Sequence, residues 1–178
     1  MKKIKHIPGL LWITGLSGSG KTTISKIIHK KLKDKYSNII LLDGDALRNR
    51  LKIKQLGSFS NKYRLKVGLK YVSLCKRYVN NRNKFVIIAT MALISKVQIE
   101  YKKIKNSFDV FLDVPVNELK RRDPKGLYKK FKNKEINNMV GLDIKFNRPK
   151  NPSLDIKWKK NFTASQISKK ILKLVEND

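Results

Sequence analysis

An α/β fold with a parallel five-stranded sheet and helices on both faces is predicted by three features of this 178-residue chain. Short apolar runs bounded by turn residues alternate with segments of three-to-four-residue apolar periodicity, the pattern of strands joined through crossover helices. The string GLSGSGKTT at residues 15–23 falls between one such run and one such helical segment. A basic, loop-rich stretch over about residues 122–152 then interrupts the alternation. A loop of that length inside a compact domain is usually functional, and a lid over a bound ligand is the expected role.

The first strand is read at residues 10–14, where Leu10, Leu11, Trp12 and Ile13 form a continuous apolar run. Ile24, Ile27, Ile28 and Leu32 then recur at helical spacing over residues 21–33. This strand–loop–helix setting makes the glycine-rich string a phosphate-binding loop, and the domain one of the P-loop NTPase type. Gly15, Leu16, Ser17, Gly18, Ser19, Gly20, Lys21, Thr22 and Thr23 are its candidate nucleotide-binding residues. Backbone N–H groups freed by the glycines curl around a polyphosphate, Lys21 neutralises the terminal phosphates, and the Thr22 hydroxyl is placed to ligate Mg²⁺. The expected ligand is ATP or GTP.

The second strand, residues 39–42, runs into Asp43, Gly44 and Asp45. Ligands of such sheets sit beyond the carboxyl ends of the strands, so both carboxylates should face the crevice that holds the P-loop. One can take the proton of an attacking hydroxyl while the other holds a metal-bound water or the acceptor. The plainer alternative is that Asp45 caps a helix carrying Leu47 and Leu51. A helix follows at residues 63–80 and a third strand at 85–90, which ends without the acidic metal ligand of nucleic-acid-driven ATPases. The fourth strand is read at 110–114, Pro115 opens a short helix at 116–122, a weak fifth strand lies at 154–156, and a last helix at 164–175.

Forty-two Lys and Arg against 13 Asp and Glu give a net charge of +29. The lysines are spread along the whole chain, whereas a nucleic-acid footprint clusters on one face or tail, so a polyanionic small molecule is the expected partner. Cys75 is the single cysteine and sits with Val72 and Val79 at helical spacing, as a small buried hydrophobe would. No run approaches a membrane span. The expectation is one cytoplasmic domain over residues 1–178, with no membrane partner; the sequence leaves a homodimer open.

GLSGSGKTT, LLDGDALR at residues 41–48 and RRDPKGLYKK at residues 121–130 together resemble the adenylylsulfate kinases. That family transfers the γ-phosphate of ATP to the 3′-hydroxyl of adenosine 5′-phosphosulfate. The likeness runs from about residue 9 to the end of the chain. It implies ATP and Mg²⁺ as cofactors and Asp43 as general base. It also places Asp45, Arg48, Phe59, Arg64, Ile94, Ser95 and Lys125 at acceptor-binding positions, with Ser95 an active-site residue. Phe59 would stack on the acceptor's base, Arg64 would hold its anionic 5′ group, and Lys125 would close over it from the lid. Arg122 joins Lys21 in offsetting charge on the transferred phosphoryl group.

Departures from the family pattern concentrate in the acceptor site. Val67 stands where an asparagine is usual, Met139 where an aromatic is usual, and Ser95-Lys96-Val97-Gln98 lacks a proline and an arginine. The default acceptor is adenosine 5′-phosphosulfate. The alternative is another nucleotide such as cytidine diphosphoramidate, which a related kinase phosphorylates in capsule decoration and whose smaller base demands less stacking area; a nucleic-acid-stimulated P-loop ATPase is the more distant alternative.

Overall fold

The structure is a computed structural model that describes residues 8–50 and 60–176. Its sheet has the order β2-β3-β1-β4-β5, with every neighbouring pair parallel. The strands are β1 (Gly9–Thr14), β2 (Ile39–Asp43), β3 (Phe85–Ala89), β4 (Ser107–Asp113) and β5 (Leu154–Lys157). β1 lies at the centre and is buried along its whole length, which explains its unbroken apolar run.

Alternation of side chains along β1 divides the core between the two faces. Leu10 and Trp12 pack with Val86 and Ile88 under α3 (Asn61–Arg82) and α4 (Ser95–Lys102). Cys75 is fully buried in this layer, as its helical context predicts. Leu11 and Ile13 pack instead with Ile24, Ile28, Ile171 and Val175 of α1 (Lys21–Lys33) and α7 (Ala164–Glu176). No described helix is long and apolar enough to cross a membrane.

Three helices depart from the sequence reading. α2 (Gly44–Arg50) starts directly after β2, and the residue that caps it is Asp43, not Asp45: Asp43 Oδ1 accepts from the N–H of Asp45 at 3.0 Å and of Ala46 at 3.2 Å. α4 occupies a stretch in which the sequence pattern marks no element, and its first residue is Ser95, so Ile94 and Ser95 lie five and six residues past the end of β3. Inside the lid, after α5 (Val116–Arg122), α6 (Leu127–Lys132) forms because Asp123 accepts from the N–H of Tyr128 at 3.2 Å and of Lys129 at 2.9 Å. Phe59 lies outside the described residues.

Candidate active site

The carboxyl ends of β1 and β2 bring the P-loop and the Asp43-Gly44-Asp45 turn together at one edge of the sheet. At Gly15 a Cβ would stand 2.9 Å from the carbonyl oxygen of Leu112 and 2.7 Å from Ser19 Oγ, so only glycine lets the chain leave β1 this close to β4. At Gly44 a Cβ would stand 3.0 Å from the Ala89 carbonyl oxygen. That glycine is there because β2 turns into α2 against β3, and it needs no unusual backbone angle.

Lys21 Nζ donates to the carbonyl oxygens of Gly15 at 2.8 Å and Leu16 at 2.7 Å. Burial in the loop lowers its pKa to about 8; the charge of Lys125 adds to that effect, and Asp45 and Asp43 oppose it. Thr22 Oγ1 donates to Asp43 Oδ2 at 2.8 Å. Because the hydroxyl spends its proton on the carboxylate, its lone pairs are free for a cation. That hydroxyl is a hard oxygen donor that suits Mg²⁺ held chiefly by substrate phosphates and water. No group of three or more His, Cys, Asp or Glu among the described residues offers a self-sufficient metal cage.

On the acceptor side, Asp45 pairs with Arg48 at 3.2 Å on its own helix and with Lys125, which reaches across from the lid. Burial works to raise the Asp45 carboxyl, but the Lys125 hydrogen bond and the Lys125 and Arg48 charges outweigh it and hold the pKa below the usual range. Arg64 donates through Nη2 to the carbonyl oxygen of Asn138 at 2.6 Å. Asp143 in turn accepts from the N–H of Asn138 at 2.7 Å and of Met139 at 2.5 Å, which fixes that carbonyl. Met139 is buried beside Leu16, Leu119 and Tyr128, and Val67 packs against the α3 side of the core. The exposed Ser95 receives the lid's return, its N–H donating to Asn147 Oδ1 at 3.3 Å.

The lid is docked on the P-loop. Leu16 packs into the lid's own apolar cluster, and the Tyr128 hydroxyl donates to the Ser17 carbonyl oxygen at 3.1 Å. Arg122 is held by Glu118 at 2.7 Å and lines a cavity with Ser19, Gly20, Trp158 and Phe162. The structure thus puts Arg122 on the flank of the P-loop, whereas Lys125 spans the mouth of the crevice. Trp158 and Phe162 escaped the sequence reading; their one signal was their place after a fifth strand that is itself weakly marked.

A model of the family described as adenylylsulphate kinase matches residues 8–157. A cytidine diphosphoramidate kinase of Campylobacter jejuni is 40% identical over 82% of this chain and 84% of its own length. An adenylyl-sulfate kinase of Pseudomonas aeruginosa is 34% identical over 84% of this chain and 76% of its own. The Mycobacterium tuberculosis APS kinase CysC, solved in complex with AMPPNP and APS, superposes with a TM-score of 0.85 at 29% identity, covering 97% of this chain and 99% of that one. The P-loop, the paired aspartates beside it and the docked lid therefore belong to a kinase, and the chain is a member of the adenylylsulfate kinase family.

Proposed function

We propose that this kinase transfers the γ-phosphoryl group of ATP to the 3′-hydroxyl of a nucleotide that carries an anionic 5′ group. The observation that carries this reading is the position of Asp43, bonded to Thr22 of the P-loop and standing at the root of the turn whose Asp45 meets the lid. A carboxylate has about four lone-pair directions, and the three donors on Asp43 leave one on Oδ2 for a substrate hydroxyl. Asp43 takes the proton as the ribose oxygen bonds to the γ-phosphorus and the bond to the β-bridging oxygen breaks, releasing ADP. Lys21 offsets the charge on the transferred group, Lys125 closes over the acceptor from the lid, and the P-loop N–H groups hold the phosphates in line. Mg²⁺, held by Thr22 together with the nucleotide phosphates, would supply further charge neutralisation.

The acceptor we favour is a cytidine diphosphate derivative of the cytidine diphosphoramidate kind. Support comes from the 40% identity to a kinase named for that substrate, against 34% to the Pseudomonas adenylyl-sulfate kinase. Met139, a flexible thioether buried in the lid cluster, agrees with a base pocket built for less stacking area. Adenosine 5′-phosphosulfate is the second reading, favoured by the family model. ATP consumption measured against both nucleotides decides between them: we expect kcat/KM to be at least tenfold higher for the cytidine compound. The reverse order restores adenosine 5′-phosphosulfate, and turnover with neither, coupled to stimulation by nucleic acid, sinks the kinase assignment of the acceptor.

A further inference from the structure

Beside the Asp43-Gly44-Asp45 turn stands a buried phenol to which the proposed reaction gives no task. Tyr71 of α3 is sealed in the core, and its ring shares a cluster with Leu42 of β2 and Leu47 of α2. Its hydroxyl donates to the carbonyl oxygen of Gly44 at 3.0 Å. The side chain of Arg48, which can only donate, is hydrogen-bonded to the same hydroxyl. A phenol has one proton and two lone pairs, so donating to Gly44 and accepting from Arg48 are compatible. Burial pushes the pKa of this phenol up, against the opposing pull of Arg48, so at neutral pH the proton that Gly44 receives stays in place.

Both partners of the hydroxyl belong to the acceptor side of the crevice. Gly44 is also pressed against β3, where a Cβ would stand 3.0 Å from the Ala89 carbonyl oxygen and 3.1 Å from Thr90 Oγ1, so the sheet and Tyr71 together hold the turn. Arg64 is near enough to Arg48 that, after burial, the Arg48 charge is the next cause lowering its pKa. Two guanidiniums that feel each other's charge repel, yet each is tethered: Arg64 to the Asn138 carbonyl oxygen at 2.6 Å, Arg48 to Asp45 at 3.2 Å and to Tyr71. Asp45 is half-exposed and shared with Lys125 of the lid. The phenol is buried in the core and makes no contact with the lid's lysine, so it is the tether that does not depend on lid position.

We propose that Tyr71 is a positioning residue for the acceptor: its hydroxyl holds the guanidinium of Arg48 in place against Arg64, and the turn beside it, before the acceptor arrives. The inference rests on the reading that Arg48 and Arg64 face the acceptor, and it adds a residue that touches neither substrate. Donors already in place bind an anion without first having to be ordered. Tyr71→Phe deletes the hydroxyl and keeps the ring. The KM for the acceptor should rise about fivefold to tenfold, the worth of one hydrogen bond. The KM for ATP should stay within about twofold and turnover at saturating acceptor within about threefold, as expected for a group that orders the acceptor site alone. In an Arg48→Lys background the same change should raise the acceptor KM less than about twofold, because groups that act through one another are not additive.

NMR of isotope-labelled arginine side chains supplies a readout that needs no turnover. In the protein without acceptor, the Arg48 signals, assigned by their loss in Arg48→Lys, should show a guanidinium whose rotation is hindered. In Tyr71→Phe that rotation should become fast. In Asp45→Ala, a surface change that leaves the core ring alone, it should remain hindered, because Tyr71 still holds the guanidinium. Free rotation in Asp45→Ala assigns the tether to Asp45 and overturns the inference, even if Tyr71→Phe does not fold. Rotation equally hindered in Tyr71→Phe, an unchanged acceptor KM in that variant, or an equal loss in the Arg48→Lys background overturns it too. Turnover of the wild-type protein with neither nucleotide removes the acceptor reading instead, and the rotation of Arg48 still decides whether Tyr71 holds it.

Discussion

The donor and acceptor halves of this crevice are built from different materials. The phosphate cradle of the donor half is read from one contiguous stretch, residues 15–23, in which backbone groups of a glycine-rich turn would hold the phosphates. In the proposed reaction the acceptor half is made of side chains from separate elements: Asp45 and Arg48 on α2, Arg64 on α3, Ser95 at the start of α4 and Lys125 in the lid. Its parts meet through contacts such as Lys125 with Asp45, 80 residues apart, and Arg64 with Asn138, 74 apart. A cradle made of backbone is indifferent to most side-chain changes around it. A pocket made of side chains is retuned by single substitutions, which is how, in the proposed reading, Val67 and Met139 would change the acceptor without disturbing the donor.

Asp43 is the joint between the halves, so the largest effect is expected there. Asp43→Asn keeps one oxygen to accept from the N–H groups of Asp45 and Ala46, and α2 stays capped. What it loses is the carboxylate that receives the Thr22 proton and, in the proposed reaction, the proton of the acceptor. We expect kcat to fall about a hundredfold or more, with the KM for ATP changing much less. A fall of less than about tenfold under saturating substrates removes Asp43 as the base.

The same contrast governs what could be read from sequence. All five strands and the P-loop were legible because each is encoded locally, by an apolar run or by one short string. α6 was hidden because the signal that starts it, Asp123, lies four residues before Leu127 behind a proline and a glycine and reads as loop punctuation. Asp43 rather than Asp45 as the cap of α2 depends on where β2 stops, a boundary that propensity fixes only to within a few residues. The place of Ser95 depends on the five-residue connection between β3 and α4, which the clamp of Asn147 on α4 holds from outside the segment.

Lys125→Ala sharpens the comparison from the acceptor side. Both members of the Lys125–Asp45 pair are about half exposed, with side chains 52% and 48% accessible, so the loss of stability should not exceed about 1 kcal/mol. Catalysis should suffer more. We expect kcat/KM for the acceptor to drop about tenfold while the KM for ATP stays within about twofold, because Tyr128 and Leu16 keep the lid on the P-loop without Lys125. An equal loss in both substrates would mean that the two halves are not separable and that Lys125 serves the donor as well.

The smallest effect is a titration, and its sign follows from Lys21. Burial, reinforced by Lys125, lowers the pKa of free Lys21 to about 8, so near pH 7 it is mostly charged and above pH 8 mostly neutral. A bound triphosphate favours the charged form and raises that pKa, so above pH 8 binding must take up a proton. Affinity for ATP is thus fully present below pH 8 and lost as pH rises through it, by about tenfold between pH 7 and pH 9 if one proton is linked. Calorimetry in buffers of different ionisation heat would show that proton uptake directly. Lys21→Met should bind weakly and with no such slope. A slope that survives in Lys21→Met assigns the linked proton elsewhere, whereas one that steepens in Lys125→Ala contradicts the electrostatic link from the lid to the loop, since removing that charge should move the midpoint upward.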